Sequence, residues 1–167
     1  MQNETCCVHM RALSATLLPS IGSCLSAVAV RKLQEPWYTG LQKPKHTLPD
    51  CCSGHIKTIV YSGIGFASYL VYKEGNGCEG PAKVPLILYG THLAVNLSWQ
   101  PAYLYLKNLD FGCCAISVVT ATGVLVAHAF YKIEKKAAYL FAPYLLYLCY
   151  NTCHMFSLRK LNKNAIQ

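Results

Sequence analysis

The sequence predicts an all-α membrane protein built as a five-transmembrane-helix bundle, and three features carry that prediction. Apolar residues make up 53% of the chain and charged residues only 13%, against roughly 25% charged in ordinary soluble domains. The charges are segregated into Arg31–Lys57, Lys73–Lys83, Lys132–Lys136 and Arg159–Lys163. Between them run apolar stretches near the ~20 residues that a spanning helix needs.

The first expected span is Ala12–Val30. Pro19 and Gly22 interrupt it and no convincing cleavage site follows, so it reads as a membrane helix and not as a signal peptide. Residues 32–55 hold Pro36, Pro44, Pro49 and Gly40. They are expected to form an ordered or partly helical loop, either a lid over one mouth of the bundle or a plain connector. The second span, Ile56–Tyr72, is short, with Lys57 able to snorkel toward headgroups. The third, Val84–Leu106, begins beside Pro85, where proline is tolerated. The fourth, Cys113–Phe130, is uncharged throughout, and the fifth is Ala137–Leu158. Pro101 and Pro143 are candidate kinks. Spans two and four are rich in small residues, among them Gly63, Gly65, Ala67, Ser117 and Gly123, which allow close helix approach. Residues 1–167 form a single domain without internal repeat.

The net charge of +8 sits at the ends of apolar runs, where it would meet lipid headgroups. No basic stripe interleaves with stacking aromatics, so nucleic acid is not an expected partner. Counting loop charges gives nine basic residues on the side of the first loop, third loop and C-terminus, and six on the other. That bias places the C-terminus in the cytosol.

Ten cysteines could suggest a disulfide framework, but Cys24, Cys113, Cys114, Cys149 and Cys153 lie inside apolar runs, where a thiol acts as a small hydrophobe. The adjacent pairs Cys6-Cys7, Cys51-Cys52 and Cys113-Cys114 lack metal or redox spacing. Cys149 and Cys153 share a helix face, yet His154 points about 100° away from Cys153. No metal and no cofactor is expected. No Asp or Glu lies within a span to act as a base, so no catalytic residue and no enzyme activity is expected.

Two polar stripes stand out. His92, Asn96, Trp99 and Tyr103 are spaced four, three and four apart, which puts them on one face of the third helix. Tyr144, Tyr147, Asn151 and His154, spaced three, four and three, do the same on the fifth. Polar groups in a bilayer helix usually face the interior, a partner or a cavity. Such groups can be interhelical glue, but so many rings favour a pocket for a planar, largely apolar ligand. Phe111, just ahead of the fourth span, joins the candidate lining.

Specific strings then become legible. Trp37-Tyr38-Thr39-Gly40-Leu41-Gln42-Lys43-Pro44 resembles the W-Y-x-x-L-x-K-P signature of the translocator protein family, also called the peripheral-type benzodiazepine receptor or TspO/MBR family. Tyr61–Glu74, Val84–Tyr89, Asn96-Leu97-Ser98-Trp99-Gln100-Pro101 and Ala142-Pro143-Tyr144-Leu145 resemble its second, third and fifth helices in order. The likeness runs from about Leu17 to Arg159 and is closer to the animal mitochondrial branch. It implies a multi-pass protein of the mitochondrial outer membrane that binds cholesterol or another sterol, porphyrins and benzodiazepine-type drugs. It also implies a role in cholesterol transport for steroid metabolism, with a homodimer or outer-membrane proteins as possible partners besides membrane lipid. Asn96 and Trp99 match pocket positions, and Trp37 and Tyr38 match the lid-loop signature.

The chain departs from the pattern in ways that bear on function. Tyr147 stands where tryptophan is usual, and His46, Cys51 and Lys57 stand at places where the family's loop is rich in tryptophan. That counts against porphyrin breakdown. Asn151 and His154 replace smaller or apolar residues, and a polar group left unpaired by an apolar ligand costs roughly 1–3 kcal/mol. The C-terminal cholesterol motif is degenerate, with Phe156 for tyrosine, His154 for the aliphatic residue and Arg159 and Lys160 as the base. The expectation is a sterol receptor or carrier, with a diverged paralogue of altered ligand preference as a variant of that reading. The rivals are a scaffold that dimerises through Gly63 and Ala67, and a porphyrin-degrading enzyme using Trp99.

Overall fold

A computed structural model describes the backbone of residues 2–34, 36–45, 47, 50–77 and 80–163, with side chains in those ranges except 2–14 and 50–52. His46, Pro49 and the side chains of Cys6, Cys7, Arg11, Cys51 and Cys52 lie outside the described part. Five helices follow one another: α1 (Gln2–Gln34), α2 (Asp50–Glu74), α3 (Lys83–Leu106), α4 (Leu109–Ile133) and α5 (Lys135–Leu161). Each reaches past at least one end of the apolar run that predicted it. Hydropathy stops at the first charges, but backbone hydrogen bonding continues through them, so the loop after α1 is shorter than the expected 32–55. Pro19, Pro101 and Pro143 lie within continuous helices.

The helices form a closed ring in the spatial order α1, α2, α5, α4, α3, each packed on its two neighbours, with α2 also touching α3 and α4. Short connections with local caps set the order. Lys107 takes a left-handed conformation (φ 52°) and ends α3. Asn108 then caps α4, its side chain accepting from the Asp110 and Phe111 amides at 2.9 and 3.1 Å. Glu134 alone joins α4 to α5. Its N–H donates to the Phe130 carbonyl at 2.8 Å, and its side chain accepts from the Lys136 amide at 3.0 Å.

The outside of the ring is aliphatic on every helix, with Leu18 and Leu25 on α1, Ile59 on α2, Ile87 on α3, Leu125 on α4 and Leu146 on α5 all exposed. A surface this apolar belongs against lipid. Among the described residues, length and composition alone pick out α4 as a helix able to cross a membrane. The other helices are diluted by polar side chains, and many of these point inward. Ser26 Oγ donates to the Leu97 carbonyl at 3.0 Å, and Ser20 and Ser62 pair at 3.1 Å between α1 and α2.

Small residues set the closest approaches. A Cβ at Gly65 would stand 2.5 Å from the Ala15 carbonyl oxygen and 2.9 Å from Thr16 Cα. Gly63 and Ala67, which suggested a dimer face, are used inside the bundle. Ala67 is fully buried, and Gly63 faces the Leu140 carbonyl of α5, 3.8 Å from where its Cβ would be. The Gly65→Val substitution should therefore force α1 off α2 and destabilise the fold by about 1–3 kcal/mol. Thermal unfolding in detergent should show it as a lowered midpoint, whereas Gly54→Ala, with open space at its Cβ, should leave the midpoint in place.

Candidate ligand-binding cavity

At the end of the ring where α1 finishes and α2 starts, the helices part around a cavity of about 370 Å³. Val30, Arg31 and Gln34 of α1 form one side, and Ser53, Gly54 and Lys57 of α2 another. Trp99, Gln100 and Tyr103 come from α3, and Tyr147, Tyr150, Asn151, His154 and Met155 from α5. Tyr38 and Thr47 of the first loop complete the wall. The loop thus occupies the lid position, and it is fastened there. Asn162, buried beyond the end of α5, accepts from the Gln42 amide and donates to the Gln42 carbonyl, both at 2.9 Å. Thr47 Oγ1 donates to the Pro44 carbonyl at 2.7 Å, which leaves its oxygen to accept from His154 Nε2 at 3.1 Å.

The two polar stripes divide with depth. Trp99 and Tyr103 stack with ring centroids 5.5 Å apart and planes 20° apart, presenting a flat aromatic wall. Tyr147, Asn151 and His154 stand opposite on α5. Below them the cavity narrows to a crevice floored by Asn96, Tyr61, Ile116 and Leu148, where Asn96 Nδ2 donates to the Tyr61 hydroxyl at 2.5 Å.

His92 and Tyr144 lie deeper still and contribute no surface to the cavity. His92 is 2% exposed. Thr122 Oγ1 donates to the Val118 and Val119 carbonyls, so it accepts from His92 Nδ1–H at 2.9 Å. His92 Nε2 then accepts from the Tyr144 hydroxyl at 2.6 Å. This assignment makes the histidine neutral, protonated on Nδ1. The chain of bonds joins α4, α3 and α5, so these two residues act as interhelical ties and not as a pocket lining.

Other candidates also fall outside the cavity. Phe111 is 41% exposed on the first turn of α4, and α4 reaches the site through Ile116 at the floor of the crevice, while the rest of its buried face, Gly112, Cys113 and Val119, is spent on its neighbours. Trp37 packs against the core at the cavity's edge without lining it. Phe156, Arg159 and Lys160 lie on a separate outer groove, where Arg159 pairs with Asp110.

Two further expectations change with the geometry. Asn151 Nδ2 donates to the Tyr147 carbonyl at 2.8 Å and His154 is held by Thr47. These two polar groups are partnered within the chain, and the penalty expected for covering them with an apolar ligand falls. Lys57 does not snorkel outward: its ammonium turns in, donating to Gln100 Oε1 at 3.0 Å and lying 5.9 Å from the Tyr61 ring centre. Its i, i+4 relation to Tyr61 and that of Gln100 to Asn96 were readable signals that these residues share the inner face. Among the described residues no three His, Cys, Asp or Glu side chains gather to hold a metal ion.

The sequence profile of the TspO/MBR family matches residues 15–161. The chain belongs to the TspO/MBR family. It is 34% identical to the human translocator protein over 141 residues, 84% of this chain and 83% of that protein. It is 31% identical to human translocator protein 2 over 140 residues, 79% and 78% of the two chains. The tryptophan-rich protein TspO of Chlorobaculum tepidum is 27% identical over 152 residues, 88% and 96% of the two. This family member keeps two tryptophans, Trp37 and Trp99, and only Trp99 reaches the cavity. It is a membrane protein of receptor or carrier type, and its five-helix bundle is the family's.

The buried tie is open to direct test. Tyr144→Phe and His92→Leu should each destabilise the bundle, and a double-mutant cycle should give a coupling of about 0.6–1.7 kcal/mol. Unfolding of the four proteins in mixed micelles measures it, and strictly additive losses would mean that the bond contributes nothing.

Proposed function

We propose that this protein is a receptor or carrier for cholesterol or a related sterol, held between the first loop and α1, α2, α3 and α5. The carrying observation is the stacked Trp99–Tyr103 wall of a roughly 370 Å³ cavity, within the size range of small-molecule sites. A rigid, flat ring system lies against such a wall with little entropy lost, and the tyrosine hydroxyls and Asn151 opposite can orient one polar end. Porphyrins and benzodiazepine-type drugs are further flat ligands that the same wall would suit.

The reading extends to a place in the mitochondrial outer membrane with the C-terminus cytosolic, and to cholesterol transport toward steroid metabolism. Family likeness and loop charge support it. The site is read as a binding site, in which Asn151 is engaged with the Tyr147 carbonyl and His154 with the Thr47 hydroxyl. Self-association, if it occurs, would use an outer face other than Gly63 and Ala67, which the bundle already occupies.

Photoreactive cholesterol bound to the purified chain in lipid nanodiscs, competed by unlabelled cholesterol and by an isoquinoline carboxamide, tests this directly. Saturable labelling that both compounds displace is expected. Trp99→Ala should weaken sterol binding about tenfold or more through lost aromatic contact. Labelling unchanged in that variant would move the ligand out of this cavity.

A further inference from the structure

The outer face of α5 changes character near its C-terminal end. Leu146, Cys149, Cys153 and Phe156 follow one another at three- and four-residue steps, all exposed toward lipid. The same line continues into Lys160 and Lys163, both exposed. A groove of about 420 Å³ lies over this change, lined by Phe156, Ser157, Arg159, Lys160 and Lys163. The whole end of the bundle is positive. It carries nine basic residues against three acidic ones, Glu35, Asp50 and Asp110. Six positive charges therefore remain whichever pairs form, while the opposite end, with six against four, keeps two. At the groove itself Asp110 is taken by Arg159. Glu35 follows α1, which among the described residues does not pack on α5. Asp50 alone is left to reach the groove, and a positive excess survives even then.

We infer that this groove binds an anionic membrane phospholipid, with Lys160 and Lys163 on the phosphate and Phe156 against an acyl chain. The site is separate from the cavity and does not depend on what the cavity holds. Depth supports the occupant. Phe156 is the last apolar residue on the outward line, and Lys163 stands beyond it by roughly 10 Å along a helix axis. A phosphate at that height, with its chain lying back toward Phe156, has the arrangement of a bilayer lipid, and lysine stems reach such a level by snorkelling. Charge chooses among lipids. Phosphatidylcholine brings a choline cation that the lysines repel, and a sterol hydroxyl leaves them unbalanced, whereas a net anionic headgroup answers both. The C-terminal end of a helix works against an anion with about half a negative charge. Two lysines outweigh it, and the last-turn Leu158 carbonyl is already covered by the Asn162 backbone amide and side chain, at 3.2 and 2.8 Å.

Native mass spectrometry of the full-length chain, released from micelles doped with equal phosphatidylglycerol and phosphatidylcholine of identical acyl chains, reads which lipid stays bound. Both lipids compete on the same molecules, so their ratio reads selectivity and not yield. Phosphatidylglycerol should be retained about fivefold or more over phosphatidylcholine, the effect of one lysine near a headgroup. Lys160→Gln with Lys163→Gln should bring the ratio close to one, and Lys160→Arg with Lys163→Arg should keep it. Lys132→Gln with Lys135→Gln, the same charge change at the opposite end, should also keep it. Phe156→Ala should lower retention of both lipids and leave their ratio. Equal retention of the two lipids by the wild-type chain would overturn the inference, as would a preference that survives the loss of Lys160 and Lys163. An equal fall in both glutamine variants would mean that net charge alone attracts the lipid, and would overturn it too. Glycerol phosphate, the headgroup without chains, should not displace the lipid. Displacement by it would assign the groove to soluble phosphates and end the lipid reading.

Discussion

The bundle depends on pairing polar groups with one another inside a shell of aliphatic side chains. Lipid offers no hydrogen bonds, so a histidine or an asparagine on a spanning helix must find its partner on another helix. His92 does so twice, reaching Thr122 on α4 and Tyr144 on α5, and Asn96 reaches Tyr61 on α2. Through these few bonds α3 is tied to three other helices. Tyr144 is also wedged edge-on against Phe141, Tyr61 and His92, so the polar tie and the aromatic core are one structure. Apolar packing alone would leave the helices free to slide or rotate. The bonds fix which face of each helix points inward.

The cavity follows from where that pairing ends. Toward the middle of the ring the polar residues of α3 and α5 satisfy each other and the helices close. One to two turns further on, Trp99 and Tyr103 on α3 and Tyr147 and Asn151 on α5 stand apart with a gap between them. The first loop crosses that gap, and Asn162 holds it by bonding both backbone groups of Gln42. The result is a cleft of aromatic and polar side chains, with the Lys57 ammonium turned inward.

Much of the site was legible in the sequence because helical spacing is strict. The stripes on α3 and α5 point inward as their three- and four-residue steps require, and Trp99, Tyr103, Tyr147, Asn151 and His154 meet in one cavity. Spacing fixes direction but not depth. It could not show that His92 and Tyr144 would bond to each other and leave the pocket, since that depends on how far α3 and α5 are shifted along their axes. Phe111 shows the same limit, lying on the outer face of a helix whose inner face is taken up by packing. Lys57 was misplaced for another reason. A lysine at the end of an apolar run is expected to reach the headgroups; its i, i+4 relation to Tyr61 marks the inner face, and Gln100 on a neighbouring helix supplies the acceptor that holds it there.

The sequence by itself determined the number of helices, their order and the apolar runs they show to lipid. These are set by local hydrogen bonding and by residue type, and both are written along the chain. Tertiary structure decided which polar residues became ties and which became walls, and whether small residues served an interface or the interior. It also decided where the loop came to rest and which way Lys57 faced. Each of those depends on distances between residues far apart in the chain, such as Thr47 and His154 or Gln42 and Asn162, and those distances exist only once five helices have closed into a ring.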